Sequence, residues 1–295
     1  MRTLVIHNPA AGGGGASSPL LKRIGSAITA DFRTTRGPGD ASALAAKAAE
    51  TGYEAVVAVG GDGTVREVVT GLHRAGGGPR LGIVPSGTGN DLAASLGLPR
   101  NVEKASRIAV GGHSADLDLI QATAVDGEDE RRVLANAAVA GFGGRIGDRM
   151  SPALRRFLRP IAYPLAALGQ LRDLRPYSVS LDIDGRSVQE KALMLIVANG
   201  TFAGGKLPLA PGATTDDGLL DLIVLRAVGP AGLTTMVPRV LAGRHRGHPG
   251  VSVHRARRVR IQSDPPMWTN LDGDTWRSGA SLFEVLPAAL RVAVP

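Results

Sequence analysis

AVVAVGGDGTVRE, residues 55–67, decides how the rest of the chain is read. Five small or β-branched apolar residues, Ala55, Val56, Val57, Ala58 and Val59, run without a polar interruption. Such a run suits a strand buried on both faces of a parallel sheet, which has no solvent side to demand alternation. A tight turn comes next at Gly60, Gly61, Asp62 and Gly63. Val65, Val68, Val69 and Leu72 then fall on one side of a predicted helix over 64–72, with Thr64 at its capping end. A strand that ends in glycines and opens a helix leaves unpaired amide N–H groups aimed at one spot, a geometry that holds phosphate. Asp62 does not belong beside a polyphosphate unless a cation, most simply Mg²⁺, lies between them. Taken alone, a GGDG turn is equally a structural connection, because short glycine motifs recur by chance.

A second turn strengthens the phosphate reading. Leu81, Gly82, Ile83 and Val84 form another short apolar run, followed by Pro85-Ser86-Gly87-Thr88-Gly89-Asn90-Asp91, with Asp91 placed to cap a helix over 92–96. Consecutive βα units bring both turns to the carboxyl edge of one sheet, where open α/β folds bind ligands. Upstream, residues 3–7 read as a strand leading into a glycine loop, and Ser18 caps a helix that opens with Pro19. Residues 31–35 read as a strand and Asp40 caps the alanine-rich helix 41–50; Asn101 caps 102–110, which Gly111 and Gly112 stop. Alternating strands and helices imply a mostly parallel sheet with helices on both faces.

With 295 residues, 43% of them hydrophobic, the chain can bury a substantial core. The absence of cysteine excludes disulfides and thiolate metal sites and fits a reducing cytosol. No leader-like opening is expected, and the longest uncharged apolar helical run, 160–171, is shorter than the roughly 20 residues a bilayer span needs. A net charge of +8 favours an anionic partner, while 3% aromatic content argues against single-stranded nucleic acid.

After about residue 115 the texture changes. Runs at 115–122, 132–140, 177–183, 188–197, 219–225 and 259–263, with Asp184-Gly185 as a hairpin signal, imply an antiparallel β domain of two packed sheets. Runs at 282–286 and 290–294 read as strands that return to the first domain. The expected division is a nucleotide-binding domain over 1–114, joined by 285–295, and a β-sandwich substrate domain over 115–284. One segment departs from the β pattern: Leu154, Phe157, Leu158, Ile161, Leu165, Leu168 and Leu171 form a helical stripe flanked by Arg155, Arg156, Arg159 and Arg172. It reads as a cover for one end of the β domain, as a surface for anionic lipid, or as both in part. A second basic region, with Arg244, Arg246, Arg255, Arg257 and Arg258, reads as a solvated strand face.

GGDGTVREVVTGL (60–72) together with PSGTGNDLA (85–93) resembles the diacylglycerol kinase catalytic domain family, which includes bacterial soluble lipid kinases, sphingosine kinases and ceramide kinases. NAD kinases and phosphofructokinases share a GGDG loop but differ in the residues after it. The resemblance implies an NAD kinase/phosphofructokinase-like α/β domain, a β-sandwich domain, and ATP and Mg²⁺ as cofactors. It implies nucleotide contacts from Asn8, Pro9, Ala10, Ala11 and Gly12, which match NPxAG, and an adenine-side contact from Thr35 in a TxxxGDA pattern. To these it adds Gly60, Gly61, Asp62, Gly63, Thr64 and Glu67 from the first turn and helix, and Ser86, Gly87, Thr88, Asn90 and Asp91 from the second. Residues 211–221 resemble PxAxxDDGxLD, which implies a structural Mg²⁺ on Asp217 with the carbonyls of Thr214 and Leu219; a hard cation takes oxygen ligands from such a tight turn, and an Asp-Gly turn without metal is the alternative. Asp272-Gly273-Asp274 resembles the DGE that carries the catalytic base, with Asp274 in place of Glu. Asp272 is the first choice for that base, with Asp274 and Asp62 completing the catalytic set. Arg66 also departs from the family, which usually has Asn there; an arginine at a helix start can pair with phosphate or with Glu67.

The expected function is therefore an ATP-dependent lipid kinase that transfers the γ-phosphate to a lipid hydroxyl such as that of diacylglycerol, in the cytoplasm and at the membrane surface. A lipid and a nucleotide are the expected partners, a second copy of the chain is a further candidate, and nucleic acid is not expected. A kinase of another hydroxyl (sphingoid, NAD or a soluble metabolite) and a non-catalytic nucleotide or lipid sensor remain open alternatives.

Overall fold

The computed structural model describes residues 1–11, 19–125, 130–141 and 176–295. Strands β1 (Thr3–His7), β2 (Asp31–Thr34), β3 (Ala55–Gly60) and β4 (Arg80–Pro85) run parallel in the spatial order β2-β1-β3-β4. Every residue of β3 is buried, as its uninterrupted apolar run requires of a strand covered on both faces. Alternate side chains divide between two cores. Leu4, Ile6, Val56 and Ala58 pack with α2 (Asp40–Glu50) and α3 (Asp62–Arg74) through Ala45, Val68 and Leu72. Val5, Val57, Val59 and Val84 pack with α1 (Pro19–Ala27) and, past the short α4 (Asp91–Ser95), with α5 (Val102–Gly111) through Ile24, Ala105 and Ala109.

Helix starts depart from expectation where a carboxylate found a different partner. Asp40 lies inside α2, behind a left-handed Gly39 (φ 84°), and its carboxylate accepts from the Arg36 amide at 2.8 Å, tightening the preceding turn. α3 begins at Asp62, so Thr64 sits within its first turn and does not cap it. α4 begins at Asp91 behind Asn90, which takes the left-handed conformation (φ 56°), and Asp91 does not cap its own helix. Asn101 caps α5 as expected, accepting from the Lys104 amide at 2.9 Å. The Ser18 cap and the basic helical stripe at 154–171 lie outside the described residues.

The second half comprises β5 (His113–Ala124), β6 (Arg131–Leu134), β7 (Ala137–Gly141), β8 (Tyr177–Ile183), β9 (Arg186–Ala198), β10 (Leu220–Arg226), α6 (Pro230–Leu241), β11 (Val251–Ala256), β12 (Arg258–Leu271) and β13 (Asp274–Val294). Its strands pair antiparallel. β7 and β8 each pair with both β9 and β12, so these four strands close on one another around a core that includes Leu181, Leu195, Val197, Val259 and Leu271. The run expected as one strand over 132–140 is broken between β6 and β7, because the amides of Ala135 and Asn136 leave the ladder and donate to Asp272. The two strands expected at the C-terminus are one element. β13 shifts register between Leu286 and Leu290, around Ala288 at φ 46°, without leaving the sheet. It pairs antiparallel with β5 and β12, and at Val292 it joins Leu81 of β4 in parallel, making one sheet of both halves.

Candidate active site

The two glycine turns lie in backbone contact at the carboxyl edge of the parallel strands. A Cβ on Gly87 would stand 2.3 Å from the Gly61 Cα, so no larger residue fits while the turns stay together. Asp62 completes the junction. Its carboxylate accepts from the amides of Asn90 (2.7 Å) and Asp91 (2.6 Å), placing its charge at the start of α4. Asn90 closes the second turn on itself, accepting from the Gly87 amide at 3.0 Å and donating to the Gly87 carbonyl at 2.8 Å. The Asn8 side chain donates to the Thr64 hydroxyl at 3.0 Å, which draws the first loop, through Pro9, Ala10 and Ala11, to the same helix. Gly12 lies outside the described residues. Thr35 is buried at the same edge, and its amide donates to the His7 carbonyl at 2.9 Å. Glu67 points elsewhere: it accepts from the Ala41 amide at 3.2 Å and so serves the start of α2.

Donors at this edge are left over for a ligand. Among the described residues no side chain caps α3, and the space beside Gly63 is open. The Ser86 hydroxyl is buried without a hydrogen-bond partner among the described residues, and the Thr88 side chain is exposed. An uncapped helix start beside a buried, unpaired hydroxyl fits an anionic group with several oxygens. For Mg²⁺ the fit is narrower. Among the described residues no three Asp, Glu or His side chains gather into a metal cage. Asp62 would be its carboxylate ligand and phosphate oxygens would complete the shell, the usual way this ion is held.

The acidic turn of the second half meets the first half through Asp274 and Arg66. Asp272 and Gly273, both at positive φ (46° and 104°), form the two-residue turn of the β12–β13 hairpin, and Leu271 pairs with Asp274 on either side. The Asp272 carboxylate accepts from the amides of Ala135 (2.9 Å), Asn136 (3.1 Å) and Ala137 (2.9 Å). Burial nevertheless pushes its pKa from 3.8 up to about 6; the three amides oppose the shift and the charge of Asp62 adds to it. The ion pair between Asp274 and Arg66 ties the acidic turn to the helix that opens at the first glycine turn. Asp274 takes a different environment, ion-paired with Arg66 of α3 and 3.7 Å from an Arg132 nitrogen.

Lys206 is a functional candidate that sequence reasoning missed. It lies in the connection between β9 and β10 at φ 71°, and the amides of Gly205 (3.0 Å) and Lys206 (2.5 Å) donate to Asp91. This contact also explains why Asp91 is not a cap. Burial raises the Asp91 pKa, with those amides opposing and Asp62 adding to the rise. Burial lowers the Lys206 pKa; Arg100 lowers it further, while Asp91 and Asp62 oppose. A cation among these carboxylates is suited to meet phosphate. Its one advance signal was the Gly204-Gly205-Lys206 turn, which names no chemistry.

The segment expected to hold a structural metal is tied through its carboxylates to arginines and backbone amides. The Asp217 carboxylate engages Arg255 and the Thr214 hydroxyl, and accepts from the Leu219 amide at 3.0 Å. Asp221 beside it is buried and pairs with Arg246 at 3.1 Å. Asp118 accepts from the amides of Gly218 (2.6 Å) and Ala288 (2.7 Å), fastening the loop to β13. Arg255 supplies the positive charge at Asp217, so this arrangement does not fit Mg²⁺ unless the arginine leaves.

Comparisons with known proteins identify the family. Residues 2–122 match the diacylglycerol kinase catalytic domain, and residues 136–294 match the YegS C-terminal NAD kinase beta sandwich-like domain. The chain is 32% identical over 292 residues to a Citrobacter koseri protein named "Probable lipid kinase YegS-like", covering 96% of this chain and 94% of that one. It is 30% identical over 278 residues to the diacylglycerol kinase of Bacillus subtilis (strain 168), covering 92% and 89%. A crystal structure of a diacylglycerol kinase from Bacillus anthracis str. Sterne superimposes with a TM-score of 0.75 at 22% identity, covering 100% of this chain and 97% of the other, a likeness of fold.

Proposed function

Because the chain is a lipid kinase that belongs to the diacylglycerol kinase catalytic domain family, with the YegS-type second half, we propose that it uses ATP with Mg²⁺ and phosphorylates the hydroxyl of a diacylglycerol-type lipid. The observation that carries this reading is the Asp272 turn: its buried carboxyl has a pKa raised to about 6, and Asp274 beside it pairs with Arg66 of the helix that opens, uncapped, at the first glycine turn. The amides at the start of α3, the Ser86 hydroxyl and Lys206 bind the donor phosphates. Asp62 holds the glycine turns together and, when Mg²⁺ is bound, serves as its carboxylate, the ion supplying charge neutralisation at the transferred group. Asp272 orients the acceptor hydroxyl and takes its proton, work for which a pKa just below neutral suits a general base. Phosphoryl transfer asks mainly for positioning and charge stabilisation, which residues contributed by two halves held in one sheet can supply. Among the described residues no helix is long and apolar enough to cross a membrane.

The test is transfer from γ-labelled ATP in mixed detergent micelles containing dioleoylglycerol, with ceramide, sphingosine and NAD run in parallel. Label in the organic phase that requires both Mg²⁺ and dioleoylglycerol is expected. Label confined to NAD or to inorganic phosphate overturns the proposal.

A further inference from the structure

Arg66 and Asp274 stand 208 positions apart in the chain and meet as an ion pair. Arg66 lies in the helix whose start carries the first glycine turn, and Asp274 opens the strand that leaves the Asp272 turn. Arg132 adds a second cation 3.7 Å from the same carboxylate oxygen. Arg132 is itself held by Glu130 at 2.5 Å and lies over the Trp276 ring at 5.8 Å. Asp274 thus faces two guanidinium groups from different elements, while Asp272, two residues away, is held by backbone amides. The two carboxylates of one hairpin turn therefore do different work.

We infer that Asp274 is a positioning residue and not the proton acceptor: paired with Arg66, it fixes the Asp272 turn against the helix that holds the donor phosphates. This rests on the kinase reading above and assigns roles within its site. Asp272 is anchored to its own half by three amides. Arg66–Asp274 is a direct side-chain tie from that turn to the other half. The pair is part-exposed, with side chains 23% and 43% accessible, so it adds little to stability. Its value is geometric, since a displacement of about 1 Å at a reacting centre costs on the order of 100-fold in rate.

The experiment is a double-mutant cycle on the full-length enzyme: Arg66→Met, Asp274→Asn and both together, with Asp274→Glu and Asp272→Asn for comparison. Each single variant is expected to lose kcat about tenfold while KM for ATP changes less than about twofold, and the double variant to lose no more than the worse single. Asp274→Glu, which can still reach Arg66, is expected to keep most activity and to bypass any folding defect of the Asn variant. The acidic limb of the pH–rate profile is expected to survive in Asp274→Asn and to vanish in Asp272→Asn. Multiplied losses in the double variant, or an acidic limb that disappears with Asp274, overturn the inference. A wild-type enzyme that phosphorylates no lipid refutes the parent function instead, so the two failures are distinguishable.

Discussion

Asp272 should drive activity and stability in opposite directions as pH changes. Burial raises its pKa from 3.8 to about 6 in the folded chain. As a base it must be ionised: about half is ionised at pH 6 and about a tenth at pH 5, so kcat/KM at pH 5 should lie about tenfold below its plateau. For folding the sign is reversed. A carboxyl group whose folded pKa is raised binds its proton more tightly when folded, so its contribution is fully present below about pH 4 and is lost as pH rises through 6. The shift of roughly two units corresponds to about 3 kcal/mol. Urea unfolding of wild type and Asp272→Asn across pH 4 to 7 isolates this carboxylate, because every other titrating group is common to both. The wild-type advantage is expected to shrink by about 2.4 kcal/mol over that interval, since at pH 4 the unfolded carboxyl is already partly ionised, while kcat/KM climbs. A stability difference that stays flat, or that grows with pH, refutes the argument. So does a kcat/KM undiminished at pH 5.

Other perturbations address the remaining parts of the site. Asp62→Asn should reduce kcat by about 100-fold or more with the fold retained, since its amide oxygen can still accept one of the two N–H bonds from Asn90 and Asp91; near-normal turnover would remove Asp62 from its role. Gly87→Ala puts a methyl against the Gly61 backbone and should cost about 1–3 kcal/mol of stability, read by thermal unfolding, and separate the turns enough to weaken ATP binding. Lys206→Met should raise KM for ATP about tenfold with little change in Tm, because the backbone amide of residue 206, not its side chain, bonds Asp91; an unchanged KM counts against a phosphate contact.

How much of this was legible in the sequence depends on the range of each interaction. Local features were readable: the buried run of β3, the two glycine turns, the Asn101 cap and the hairpin at Asp184-Gly185 are each dictated by neighbouring residues. Carboxylates misled where a distant partner outbid the nearest helix. Asp91 serves amides more than a hundred positions away at Gly205 and Lys206, and no periodicity reports that. The helix α6 was missed because Pro238 in its interior masks the pattern, although Gly229 with a proline directly after it, at the first turn, was an available signal. Arg66 and Asp274 each stood out as departures from the family, but that they answer one another required coordinates.

The 21-residue β13 carries a consequence for how such a protein can change. One ribbon of backbone is laced through both halves, reaching β4 by way of Val292 and Leu81. Cutting the chain between the halves would therefore strip the parallel sheet of a neighbour and expose β4 as a raw edge prone to self-association. The halves cannot be traded like beads on a string. Arg66 of one half answering Asp274 of the other is a second stitch across the same seam.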